Sequence, residues 1–341
     1  MQYLHTALRA LALSLFAALP AAAQGLDLTI NHVGLGIGDV PRVTGLRLNY
    51  RDRRLERVDG VNATIWTPYD NGGNGEVRGV ALGVPVTGAA RIDGVALGVF
   101  GVGARERIRG IGVGALGVGA NELDGLMVGG LGAGTGADFT GIGVGGLGVG
   151  AGGSLRGIFV GGLGAGSGQD ITGLVIGGLG AGASGDATGL LVGGLGVGAA
   201  KEVRGIAIGG LGVGAGEGLT GLAIGGVGVG TGGTLRGVGI GGIGVGGQTV
   251  RGLAIAGFGA GGRDVRGALI AAGWNRLEHG TLRGVTVSSF NQMKGVQRGL
   301  AIGIVNYAEE LHGLQIGLIN IARNNSSGTR VLPVANWHGG N

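Results

Sequence analysis

The chain has 341 residues, of which 90 are glycine, five are proline and none is cysteine. Glycine at about a quarter of the chain, against a usual ~7%, without a G-X-Y period or abundant proline excludes a collagen triple helix, and the lack of cysteine excludes a disulfide scaffold. The 25 basic and 20 acidic side chains leave a net charge of +5, and arginines falling singly at regular intervals along the chain read as no nucleic-acid footprint.

Residues 1–23 read as a signal peptide. Arg9 lies in a short polar start, "ALALSLFAALP" is an apolar core of the right length, and Ala21-Ala22-Ala23 meets the A-x-A rule before Gln24. The chain is therefore expected to be exported to the cell surface, outer membrane or periplasm. Elsewhere every long apolar run is broken by glycine, a poor helix former, so no transmembrane helix is expected. Leu, Ile, Val and Ala alternate with the glycines and mean hydropathy is +0.42, so the chain can bury surface where a Gly/Ser linker cannot.

Residues 24–43 are expected to form an N-terminal cap, 44–322 a repeat domain of about 18 units, and 323–341 a C-terminal cap strand. The repeat is most regular over 124–250, where the residues Asp124, Thr140, Arg156, Thr172, Thr188, Arg204, Thr220 and Arg236 each precede a glycine and follow one another every 16 positions. In the unit that starts at Arg156, "RGIFVGGLGAGSGQDI", Ile158, Val160, Leu163 and Ala165 stand at spacings of two, three and two. An uninterrupted strand keeps a period of two. A corner at Gly161-Gly162 would repair the phase and turn all four side chains into one interior. The fifth position after the anchor stays small, as Gly177, Gly193 and Gly209, then Ala271 and Ser288. The eighth is Gly164, Gly180, Gly196 and Gly212, then Asn291, Asn306 and Asn320, which points to a positive-φ requirement or to an outward asparagine ladder.

Two short strands and two turns per 16 residues predict an all-β chain, a β-solenoid of ~16-residue rungs. The alternative architecture is an antiparallel outer-membrane β-barrel of 16–18 strands, against which stand the 4% aromatic content and the broken alternation.

No motif points to catalysis. "GAGASG" at residues 180–185 has dinucleotide-loop spacing, but it lacks a strand leading into a helix and an acidic ribose partner, and near-copies recur every 16 residues. "EELH" at residues 309–312 is the only acidic-histidine cluster and reads as a solvated turn. No catalytic, cofactor-binding or metal residue is expected, and neither a nucleic acid nor a small-molecule substrate is implied. One feature calls for a partner. The third position after the anchor, Met127, Phe159, Val175 and Leu191, should face outward as an apolar stripe. Either a loop, a terminal segment or the opposite wall covers it, or it contacts the envelope surface, another copy of the chain or a protein partner.

The late units "RGLAIGIVNYAEELHGLQIGLINIARNN" and "RVLPVANWH" resemble bacterial surface-repeat proteins of the leptospiral type, whose units read like G-L-Q-I-G-L-I-N-I-A. The likeness is good over residues 284–337 and looser in the Gly-Gly-rich middle. It implies an exported envelope or surface protein and supplies no catalytic residues.

Overall fold

The computed structural model describes residues 25–69 and 75–338, so the signal-peptide reading of residues 1–23 lies outside the described residues. The chain is all-β, with no helix among the described residues, and is a β-solenoid of about 17 turns rather than a barrel. It divides into two compact units, Met1–Gly129 and Gly130–Asn341.

In the second unit the strands Phe139–Gly145, Leu155–Gly161, Ile171–Gly177 and Ala187–Gly193 pair in parallel, each residue opposite the one 16 positions on. The short strands Gly148–Ala151, Gly164–Ser167 and Gly180–Ala183 stack in the same register. Spanning strands of a barrel would run antiparallel to their neighbours. The parallel pairing at a fixed 16-residue offset removes that alternative.

Each middle rung is one strand, a corner and a second strand, here Leu155–Gly161, residues 162–163, and Gly164–Ser167. The corner therefore falls one residue later than expected, at Gly162-Leu163, with Gly161 as the last residue of the strand. A Cβ on Gly161 would lie 1.9 Å from the Gly164 carbonyl oxygen, and one on Gly162 would lie 1.8 Å from that of Gly146. Backbone cannot yield at such distances, so these two positions exclude any side chain.

The parity of the first strand is the reverse of the expected one. Leu155 and Phe159 are fully buried, whereas Ile158 is 43% exposed and Leu163 is 50% exposed; of the four expected interior residues, Ala165 alone is buried. Opposite the two large columns of the first wall, the second wall turns in only smaller side chains, Val149, Ala165 and Ala181. Along the interior a large side chain already borrows the space of a glycine in the neighbouring rung. A Cβ on Gly143 would sit 2.7 Å from the Phe139 ring and 2.8 Å from that of Phe159, and the two rings meet edge-on at 4.8 Å.

The positive-φ glycine is also elsewhere. Gly164, Gly180, Gly196 and Gly212 have ordinary backbone, and a Cβ on Gly164 would meet only the Gly180 oxygen at 3.6 Å. The left-handed residue is the glycine after the anchor, Gly157 at φ +133° and its counterparts, where a Cβ would lie 1.9 Å from the Gly141 oxygen. In the later rungs the corner loses one residue, so Asn291 aligns with Asn275 and, through it, with Ala260 and Val245 of the inner column. Asn291, Asn306 and Asn320 are thus fully buried and form an inward ladder, with amide-to-carbonyl bonds of 2.8 Å from Asn291 to Asn306 and from Asn306 to Asn320. The strand Val331–His338 lies antiparallel on Val305–Ala322 and ends the stack of this unit.

The first unit opens with the strand Leu26–Ile30 antiparallel to Val33–Ile37, joined by Asn31 and His32, both at positive φ as a two-residue hairpin turn requires. Beneath this end lies a polar plug. Arg47 is fully buried; it donates to the Val40 carbonyl at 2.8 Å and to Asn62 at 2.9 Å, and it pairs with the equally buried Asp52. Asp39 joins it at 3.6 Å. Burial pushes the Asp39 carboxyl up, but the amides of Arg53 and Arg54, the Arg54 side chain and the Arg47 charge outweigh it and hold it below its ordinary value.

Candidate interaction surface

Strand parity decides what reaches solvent. With Leu155, Phe159 and Gly161 turned inward, Arg156, Ile158 and Val160 face outward, Leu163 projects from the corner, and the second wall presents Gly164 and Gly166. In-register stacking converts each position into a column. Ile142, Ile158 and Ile206 stand in one, Val144, Ile176 and Ile208 in the next, and Leu147, Leu163 and Leu179 form a ridge beside them. At about 4.8 Å per rung the wall amounts to several hundred Å² of contiguous apolar surface, roughly the size that marks an interaction site.

The expected stripe is therefore corrected. Met127, Phe159, Val175 and Leu191 have no exposed surface and belong to the core. An apolar face does exist, and it consists of the columns two and four positions after the anchor together with the corner ridge.

The anchor position carries the charge, and the two units use it differently. In the first unit Asp59, Arg78, Asp93, Arg109 and Asp124 stand opposite one another in turn, so the signs alternate. Arg109 pairs with Asp124 at 3.2 Å. In the second unit Arg236, Arg251, Arg266, Arg283 and Arg298 are stacked in consecutive register, and all five are exposed. Among the described residues the ion pairs of this unit involve Arg156, Arg204, Arg276 and His312, and none of the five ladder arginines. At about 4.8 Å two unit charges repel by on the order of 0.9 kcal/mol in water, less once salt screens them and the long side chains splay. The regular interval that separates these arginines along the chain is what superimposes them in space. The expectation that they do not cluster fails for this ladder.

Turn carboxylates have a structural task. Asp138 accepts the Ser154 amide of the next rung at 2.8 Å and pairs with Arg156 at 3.1 Å. That amide above all, with Arg156, holds its carboxyl below the ordinary value against the opposing effect of burial. "EELH" lies inside the strand Val305–Ala322 and not in a turn; His312 Nε2 is 2.6 Å from Glu310, and its ring stands edge-on to His338 at 5.7 Å. Among the described residues no three histidine or acidic side chains are placed to hold a metal ion. "GAGASG" runs from the strand Gly180–Ala183 into a turn. Comparison with family models, curated proteins and solved structures finds no match to this chain.

Proposed function

We propose that this β-solenoid is a non-catalytic, exported repeat protein that serves as a structural, surface-display or adhesive element at a bacterial cell envelope. The observation that carries the reading is the uninterrupted outer wall of Ile158, Val160, Leu163 and their counterparts. A repeated apolar surface of this size offers many equivalent contacts and no convergent set of polar groups of the kind that chemistry requires. The signal-like residues 1–23 and the resemblance of residues 284–337 to leptospiral-type surface repeats support export and an envelope location.

The test is cell fractionation combined with N-terminal sequencing. The expected result is a chain that begins near Gln24 and is recovered with the envelope, from which salt or alkali releases it. Recovery from the cytosol with residues 1–23 intact would refute the reading.

A further inference from the structure

We infer that the rungs of residues 236–302 form a binding face for an anionic lipid surface. The inference deepens the envelope reading and rests on it for access to a membrane; the binding itself can be tested apart from location. Residues 236–302 contain eight basic and two acidic side chains, a net of +6, which exceeds the +5 of the entire chain. Five of the basic groups are the exposed, unpaired arginine ladder from Arg236 to Arg298, which spans about 19 Å at the strand spacing. A second property changes in the same rungs. At the corner ridge, leucine in the middle of the unit, Phe258 is 59% exposed, and just past it, opposite Gly259 at the start of the second wall, Trp274 is 36% exposed and stacked on Phe290 at 6.3 Å. Between ladder and ridge lie outward aliphatic columns that include Leu253, Ile255 and Ile270.

The first wall and its corner therefore present cations at one margin, aliphatic side chains beside them and aromatic rings at and just past the corner. This is the composition that seats a protein at a bilayer interface, where arginines meet lipid phosphates, aromatic rings lie at headgroup level and aliphatic groups reach the acyl boundary. A soluble polyanion would satisfy the arginines but leave the aliphatic columns in water. The alternating anchor column of the first unit neutralises itself and offers no such face.

The experiment is co-sedimentation of the full chain with vesicles of phosphatidylcholine alone and with about a third phosphatidylglycerol. Binding is expected only with the anionic lipid and should weaken as salt rises. The exposed triple substitution Arg251→Gln, Arg266→Gln and Arg283→Gln should keep the circular-dichroism spectrum and bind on the order of a hundredfold more weakly. The variant Arg156→Gln with Arg204→Gln, outside the ladder, should bind like the parent. With Trp66→Phe and Trp337→Phe, the fluorescence of Trp274 should shift to the blue on anionic vesicles. Equal binding by parent and triple variant, absence of binding to anionic vesicles, or binding to soluble polyphosphate without binding to vesicles would each overturn the inference.

Discussion

The decisive test of the wall geometry compares two neighbours, Phe159 and Ile158. Phe159 has no exposed surface and meets the Phe139 ring edge-on at 4.8 Å, whereas Ile158 is 43% exposed. Truncating a packed phenylalanine to alanine costs about 3–5 kcal/mol through lost burial and the cavity left behind. Phe159→Ala should therefore rank among the most damaging single changes in the unit. Ile158→Ala gives up a half-solvated contact and opens no interior void, so it should cost under about 1 kcal/mol. Gly143 extends the test, since its added methyl would press on both rings from 2.7 and 2.8 Å. Gly143→Ala alone should cost roughly 1–3 kcal/mol as an overpacked site. In the Phe159→Ala background the same methyl enters vacated space, so the double variant should lose less than the two singles together. Urea unfolding followed by circular dichroism measures all four proteins. A costlier Ile158→Ala, or strict additivity between Gly143 and Phe159, would refute the assigned interior.

The glycines separate in the same way: Gly157→Ala, at φ +133° and 1.9 Å from a carbonyl, should lower the thermal midpoint severely, while Gly164→Ala, with 3.6 Å of clearance, should hardly move it. Asn306→Leu interrupts the buried ladder and strands one N–H of Asn291, whose amide keeps its bond to the Ile302 carbonyl, and the side-chain carbonyl of Asn320; a loss of about 1–3 kcal/mol in urea unfolding is expected. Arg47→Met leaves Asp52 buried without its cation and should cost roughly 3–5 kcal/mol, part of which Asp52→Asn restores in the same background. Asp39 and Asp138 have folded pKa values below their ordinary ones, so their stabilisation is complete above the unfolded value of ~3.9 and is lost as pH falls through the folded values. Unfolding midpoints should accordingly be flat from neutral pH to about 5 and fall below about 4, with a shallower fall in Asp138→Asn.

The 16-residue period, and to within one residue the corner beside Gly162, were legible because glycine pairs and apolar pairs repeat without interruption. Parity was not, and the reason is physical. A wall such as Leu174-Val175-Ile176 is apolar on both faces, so hydrophobic alternation cannot say which face is inside. The needed signal was present at the fifth position. Its smallness in Gly161, Gly177, Ala271 and Ser288 marks an inward residue crowded at a corner, and the residue two before it must share that face. The asparagines misled through length, because a corner shortened by one residue moved Asn291 from the glycine column to the inner one. Arg47 in "TGLRLNYR" looks like any solvated charge, and only the fold brings Asp39, Asp52 and Asn62 around it. The arginine ladder was hidden by the very regularity that creates it.

The antiparallel strands Leu26–Ile30 and Val331–His338 each cover an outer edge of their own unit. Every rung is a template for the next, since its unpaired edge offers donors and acceptors at the spacing that another copy of itself would match. Left bare, such an edge would recruit further chains and the molecule would grow into a fibre. Reversing chain direction in the strand Val331–His338 presents an incoming parallel rung with a different pairing pattern, which opposes growth at that edge. A variant without residues 331–338 would carry that open edge, and its concentration would decide whether it remains a molecule or becomes a filament.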